Sequence, residues 1–165
     1  MVNMTTDTNF KTLNTSQNSE EDYQLAQRYA PRIRFDKNEP FFPSVAGYTV
    51  FRQTAKSPSF PRTIEIKRNV AFAIEYGVWW DWDIGHLYEL EHIWVYVDHD
   101  GEIIDGDASW HGGYHQMLLE NGQLPIEDGR LTVHSEPGKH AFAPSIDWLI
   151  ERKSQTLSSC STNPG

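Results

Sequence analysis

Between Val70 and Val97 the sequence twice alternates with a period of two, and nothing else in the chain restricts the fold as much. Val70, Phe72, Ile74, Tyr76 and Val78 fall on one face of a strand, because successive side chains of an extended chain point to opposite sides. Glu91, Ile93, Val95 and Val97 fall on one face of the next, with His92, Trp94 and Tyr96 opposite. Asp98-His-Asp-Gly101 supplies a turn, and Glu102-Ile-Ile-Asp105 returns as a hairpin partner. Ile33-Arg-Phe35 and Leu131-Thr-Val133 add short strands. A helix is expected from Glu20 to Tyr29, where Tyr23, Ala26 and Tyr29 share a face and Pro31 stops the ladder. Ile146-Asp-Trp-Leu-Ile150 reads as a helical turn. The sum is a mainly β, antiparallel domain over residues 21–152 with a few short flanking helices. Residues 1–20 and 153–165 are polar and read as tails, the second ending on Asn-Pro-Gly as a frayed end or a truncation.

Composition narrows the partners. The formal charge of -9 argues against nucleic acid and anionic membranes, which are themselves polyanions. Cys160 is alone, so neither an intramolecular disulfide nor a cysteine zinc cluster can form. No apolar run approaches the ~20 residues that span a bilayer. The first residues carry neither a basic start nor an apolar run, so a cytoplasmic protein is the default expectation, or a secreted one if a signal was removed. Nothing in the pattern speaks to oligomeric state.

The chemistry is concentrated from Asp81 to His115. Asp81, Asp83, His86, Glu89, Glu91 and His92 lie within a dozen residues. If the strand begins by Glu89, then Glu89 and Glu91 share the face of Ile93 and Val95, which points into a core. Paired carboxylates there repel and lose hydration, and a cation or a proton relieves both costs. If the strand begins later, both are simply wet. Oxygen-rich ligation with one imidazole favours calcium, magnesium or manganese over zinc. Asp83, His86, Glu89 and Glu91 are the candidate metal ligands, and Asp81 is a further oxygen donor or a turn-former.

Two more polar clusters follow, Ser109-Trp-His-Gly-Gly-Tyr-His115 and His134-Ser-Glu-Pro-Gly-Lys-His140. His111 and His140 are the candidates for moving protons near neutral pH. Tyr114 and His115 are candidate ligand contacts, as are Trp82 and Tyr88 beside the first cluster, where exposed rings would stack on a sugar.

Gly85-His-Leu-Tyr-Glu-Leu-Glu91 resembles the Gly-His-Arg-His-Asp-Trp-Glu heptapeptide of the necrosis- and ethylene-inducing-peptide-like toxins. Ser109-Trp-His-Gly112 is similar to that family's Ser-any-His-Gly segment. Tyr29-Ala-Pro-Arg-Ile-Arg-Phe35, Glu39-Pro-Phe-Phe-Pro43 and Gly138-Lys-His140 resemble related vacuolar-sorting-type proteins. The resemblance implies a β-sandwich with a divalent cation near one end, His86, Glu89 and Glu91 matching ligand positions and His111 standing close to the metal. It implies recognition of a sugar or lipid headgroup. Tyr88 and Leu90 depart from the heptapeptide, which separates fold and metal from cytolysis. Three uses stay open: a metal-dependent hydrolase of phosphoester or glycosidic bonds, a non-catalytic carbohydrate or lipid-headgroup binding module, and a structural cation.

Overall fold

The computed structural model describes residues 19–85 and 87–161, with side chains to residue 154. Helix α1, Glu20–Arg28, starts where Ser19 Oγ accepts the Asp22 amide at 3.1 Å and three acidic residues meet the positive end of the helix dipole. The expected tail over residues 1–20 lies outside the described residues except for Ser19 and Glu20, which already belong to this helix start.

Five antiparallel strands form the main sheet. They are β2 (Val45–Phe51), β5 (Phe72–Trp80), β6 (Glu89–Val97), β7 (Ile103–Trp110) and β8 (Gly113–Gln116), in that spatial order. The second sheet joins β1 (Arg32–Arg34) to β10 (Arg130–Ser135) in parallel, with β9 (Ile126–Glu127) and β11 (Phe142–Ala143) antiparallel to β10. A small hairpin of β3 (Ala55–Lys56) and β4 (Thr63–Ile64) stands apart. Helix α2, Ile146–Ser161, closes the described chain.

The sheets stack as a sandwich because the alternation of β5 and β6 leaves one continuous apolar face. Ile74, Tyr76, Val78, Trp80, Ile93, Val95 and Val97 meet Leu131, Val133 and Phe142 of the second sheet in one core. The layers approach closely at Gly106, where an added Cβ would stand 2.7 Å from Leu131 Cδ2. Tyr76 donates to Ala26 O at 2.9 Å and Tyr29 to Gly101 O at 3.0 Å, so α1 is tied to both the sheet and the hairpin turn.

The opposite face of the main sheet is also buried. Phe51, Ile64, Val70, Ala73, Trp94 and Tyr96 form a second cluster beneath the β3–β4 hairpin. Strands β2 and β8 were not expected: Gly47 and the Gly112-Gly113 pair interrupt their apolar patterns, and pairing to a formed neighbour overrides that weakness. The second helix is longer than the expected turn. Ser145 Oγ accepts the Trp148 amide at 3.1 Å, and no proline occurs between Ile146 and Ser161, so the helix runs on into the stretch expected as a C-terminal tail.

Candidate functional site

One end of the sandwich gathers the polar segments. Trp80 pairs with Glu89 and Val78 with Glu91 across β5 and β6, so both glutamates project from the core-facing side of the sheet. Glu91 is buried and its Oε2 accepts a hydrogen bond from Ser109 Oγ of β7. The Asp83 carboxylate is buried in the β5–β6 loop, with Oδ2 2.9 Å from Lys139 Nζ. The same ammonium donates to Ile84 O at 2.7 Å, and the Ile84 amide donates to Gly138 O at 3.1 Å. His111 Nε2 lies 2.8 Å from Glu136 Oε2. Residues from the three polar clusters, remote in sequence, are thus brought into contact.

Electrostatics follows from this crowding. Burial pushes the Glu91 carboxyl up to about 7; the Ser109 bond pulls the other way, and Glu89, Glu136 and Asp83 add like-charge repulsion. Lys139 supplies the positive charge beside Asp83, paired by geometry that leaves the ammonium partly exposed. Among the described residues no three of His, Cys, Asp and Glu already stand as a ligand set for a metal ion. His86, an expected ligand, lies outside the described residues.

Other candidates are placed elsewhere. Asp81 is exposed and uses its oxygens on Ser44 Oγ and Trp79 Nε1, bonds that hold its carboxyl below the usual range, Ser44 first. It fastens the end of β5 to the Ser44 loop. Tyr114 lies over the Arg62 guanidinium at 3.8 Å, on the side of the sheet covered by the β3–β4 hairpin. His115 turns the other way: Nε2 meets Phe142 O at 3.0 Å, and the ring stacks on Trp148 at 4.7 Å. Burial leads the causes that lower its pKa. The alternation of β8 therefore takes Tyr114 to the far side of the sheet, while His115, paired with Ala108, stays on the core-facing side and is held there by Phe142 and Trp148.

His140 requires the clearest correction as a proton carrier. It is 0% exposed, stacked on Trp80 at 4.6 Å, with Nε2 3.5 Å from Glu39 Oε1. A ring sealed between the sheets cannot touch a ligand from solvent. Its φ of +65°, like the +46° of His111, places it in the left-handed region that side chains rarely adopt. Such strain is held by surrounding contacts and is common beside functional loops.

Four more residues take part. Glu39, Ser109, Glu136 and Lys139 each lie inside one of the sequence motifs, where nothing beyond residue type marks them and the histidines carry the stronger signal. Glu39 accepts the amides of Gly138 (2.8 Å) and Phe41 (3.1 Å), and so anchors the loop that carries Glu136 and Lys139. Gly138 in that loop has φ +70°, and an added Cβ would stand 2.3 Å from Ile84 Cδ1. The Ile84 tip can yield, so the backbone dominates: Gly138→Ala should cost about 1–2 kcal/mol in urea denaturation. A loss below the error of the fit would show that the loop relaxes freely.

The β5–β6 loop presents apolar rings to solvent. Trp82 is 57% and Tyr88 61% exposed, with Tyr88 stacked on Trp79 at 5.1 Å and 9°. Ile84 and Leu87 are exposed beside them.

No protein-family model and no curated protein matches the chain. Solved structures do. One, NLPPya in complex with mannosamine, is 14% identical, covers 83% of this chain and 74% of its own, and superposes with a TM-score of 0.50. A triple mutant of NLPPya is 16% identical over 81% and 76% of the two chains, with a TM-score of 0.49. NLPPya is a necrosis- and ethylene-inducing-peptide-like protein, and the first likeness shows that this chain has the β-sandwich fold of that superfamily.

Proposed function

We propose that the acidic end of the sandwich binds a small sugar, free or on a lipid headgroup, without turning it over. The observation that carries this reading is the β5–β6 loop, where exposed Trp82 adjoins buried Asp83 and exposed Tyr88 leads into the strand that carries buried Glu91. Aromatic faces stack on the apolar side of a pyranose, and carboxylates accept from its hydroxyls. A protein of this fold is known as a complex with mannosamine, and the ammonium of an amino sugar suits an acidic cluster.

A divalent cation belongs to the proposal. The donors are hard oxygens, and the upward shift of Glu91, caused first by burial and then by its like-charged neighbours, marks a cost that a cation would relieve. Asp83, Glu89 and Glu91 would hold it together with His86, which favours calcium, magnesium or manganese. Bound there, the ion would supply a Lewis-acidic anchor for sugar hydroxyls, while Lys139 and Ser109 orient the carboxylates.

Calorimetric titration of the purified protein with mannosamine and with mannose, each with calcium or with chelator, tests both parts. Saturable heat is expected, and Trp82→Ala should weaken affinity about tenfold, the equivalent of about 1.4 kcal/mol of stacking. Absence of saturable heat in every arm, including vesicles bearing sugar headgroups, would remove the sugar reading. Sugar binding that ignores calcium, magnesium, manganese and chelator would remove the cation alone.

Metal-dependent hydrolysis of a phosphoester or glycosidic bond is the second reading. What favours it is a carboxyl near pH 7 hydrogen-bonded to a hydroxyl, since Glu91 can then give or take a proton at physiological pH. Of the two expected proton carriers, only His111 is exposed, at 48% for its side chain. Chelator-sensitive turnover on phosphoester and glycoside panels would support it.

A further inference from the structure

On the far side of the main sheet, the β3–β4 hairpin forms an open crevice of about 420 Å³ lined by Lys56, Ser57, Phe60, Pro61, Arg62 and Thr63. None of these is acidic, in a chain of net charge -9. Lys56 is exposed and makes no ion pair among the described residues. Ser57 Oγ accepts the amides of Ser59 (3.2 Å) and Phe60 (2.9 Å), which leaves its own proton to donate.

Arg62 is the second, independent observation. Its side chain is 9% exposed and clamped between Trp94, 4.4 Å from the guanidinium carbon, and Tyr114 at 3.8 Å. Nη2 serves Asp107 at 2.8 Å and Tyr96 Oη at 3.1 Å, but Nε and Nη1 are buried with no hydrogen-bond partner. Buried donors are nearly always matched, so a guanidinium short of two acceptors calls for one. The stacking rings fix its plane, as recognition of a planar or tetrahedral oxyanion requires.

We infer that this crevice is a binding site for a phosphate-class oxyanion, separate from the acidic end. Lys56 supplies the accessible charge, the Ser57 and Thr63 hydroxyls supply direction, and Arg62 takes up oxygen as the hairpin adjusts. Two-residue strands make that adjustment cheap. Asp107 already neutralises part of the Arg62 charge, so affinity falls in the millimolar range typical of a partly wet ion site.

Amide chemical shifts of the whole protein, followed while inorganic phosphate or glycerol phosphate replaces chloride at constant ionic strength, test the site. Saturable shifts confined to residues 56–63 and the Trp94 and Tyr114 signals are expected. The tighter of the two probes tells whether the anion is free or ester-bound. Lys56→Ala, at an exposed position, should weaken binding about fivefold, and Thr63→Val should weaken it further. Shifts that track ionic strength alone, or that persist undiminished in both variants, overturn the proposal.

Discussion

In chelator at pH 8, protein carrying Glu91→Gln should unfold several degrees above the parent, and the gap should close by about pH 4.5. The Glu91 carboxyl is pushed up to about 7, burial first and its like-charged neighbours after. The unfolded chain releases that proton near pH 4.5. Between these values the folded state binds more protons than the unfolded state, so stability drains as pH rises through the window and the whole loss is present above pH 7. A shift of this size corresponds to at most roughly 3 kcal/mol, and glutamine escapes it while still accepting from Ser109. Adding calcium should lift the parent towards the variant, because a cation stabilises the ionised carboxyl. Melting curves that run parallel for both proteins from pH 4.5 to 8 would show that Glu91 does not carry the strain assigned to it.

Glu39→Ala should cost about 3–5 kcal/mol in urea denaturation, the scale for removing one partner of a buried polar pair. Glu39 is buried, accepts two backbone amides and faces His140 Nε2 at 3.5 Å, while neither His140 nitrogen has a hydrogen-bond partner. Truncation leaves these groups uncompensated and frees the 136–140 loop, so sugar affinity should fall with stability. Glu39→Gln retains an acceptor and should recover much of the loss. Equal losses in both variants would mean that the negative charge, rather than the acceptor or the packing volume that glutamine keeps, anchors the loop.

Much of this was legible in local pattern. The alternation at Phe72–Val78 and Glu91–Val97 became β5 and β6 in antiparallel register, and Glu89 and Glu91 lie on the predicted core-facing side, whereas Val70 precedes β5 and packs in the cluster on the opposite face. Period two is a property of the extended chain itself, so it survives whatever packs on it. Strand β2 was not legible, since Gly47 breaks the pattern and pairing to β5 supplies what its own residues lack. The histidines carry no local signal that separates buried His140 from exposed His111, because a residue type announces chemistry but not exposure.

The chain's sequence by itself determined a mainly antiparallel β domain and a carboxylate-rich turn between its central strands, because both depend on spacing along one segment. Tertiary structure alone decided which polar groups share that end. Stacking the second sheet on the first sealed His140 against Trp80, carried Lys139 to Asp83 and Glu136 to His111, and left Tyr114 on the opposite side with Arg62. These contacts join residues tens of positions apart, and their formation depends on how two apolar faces close, which no local period encodes.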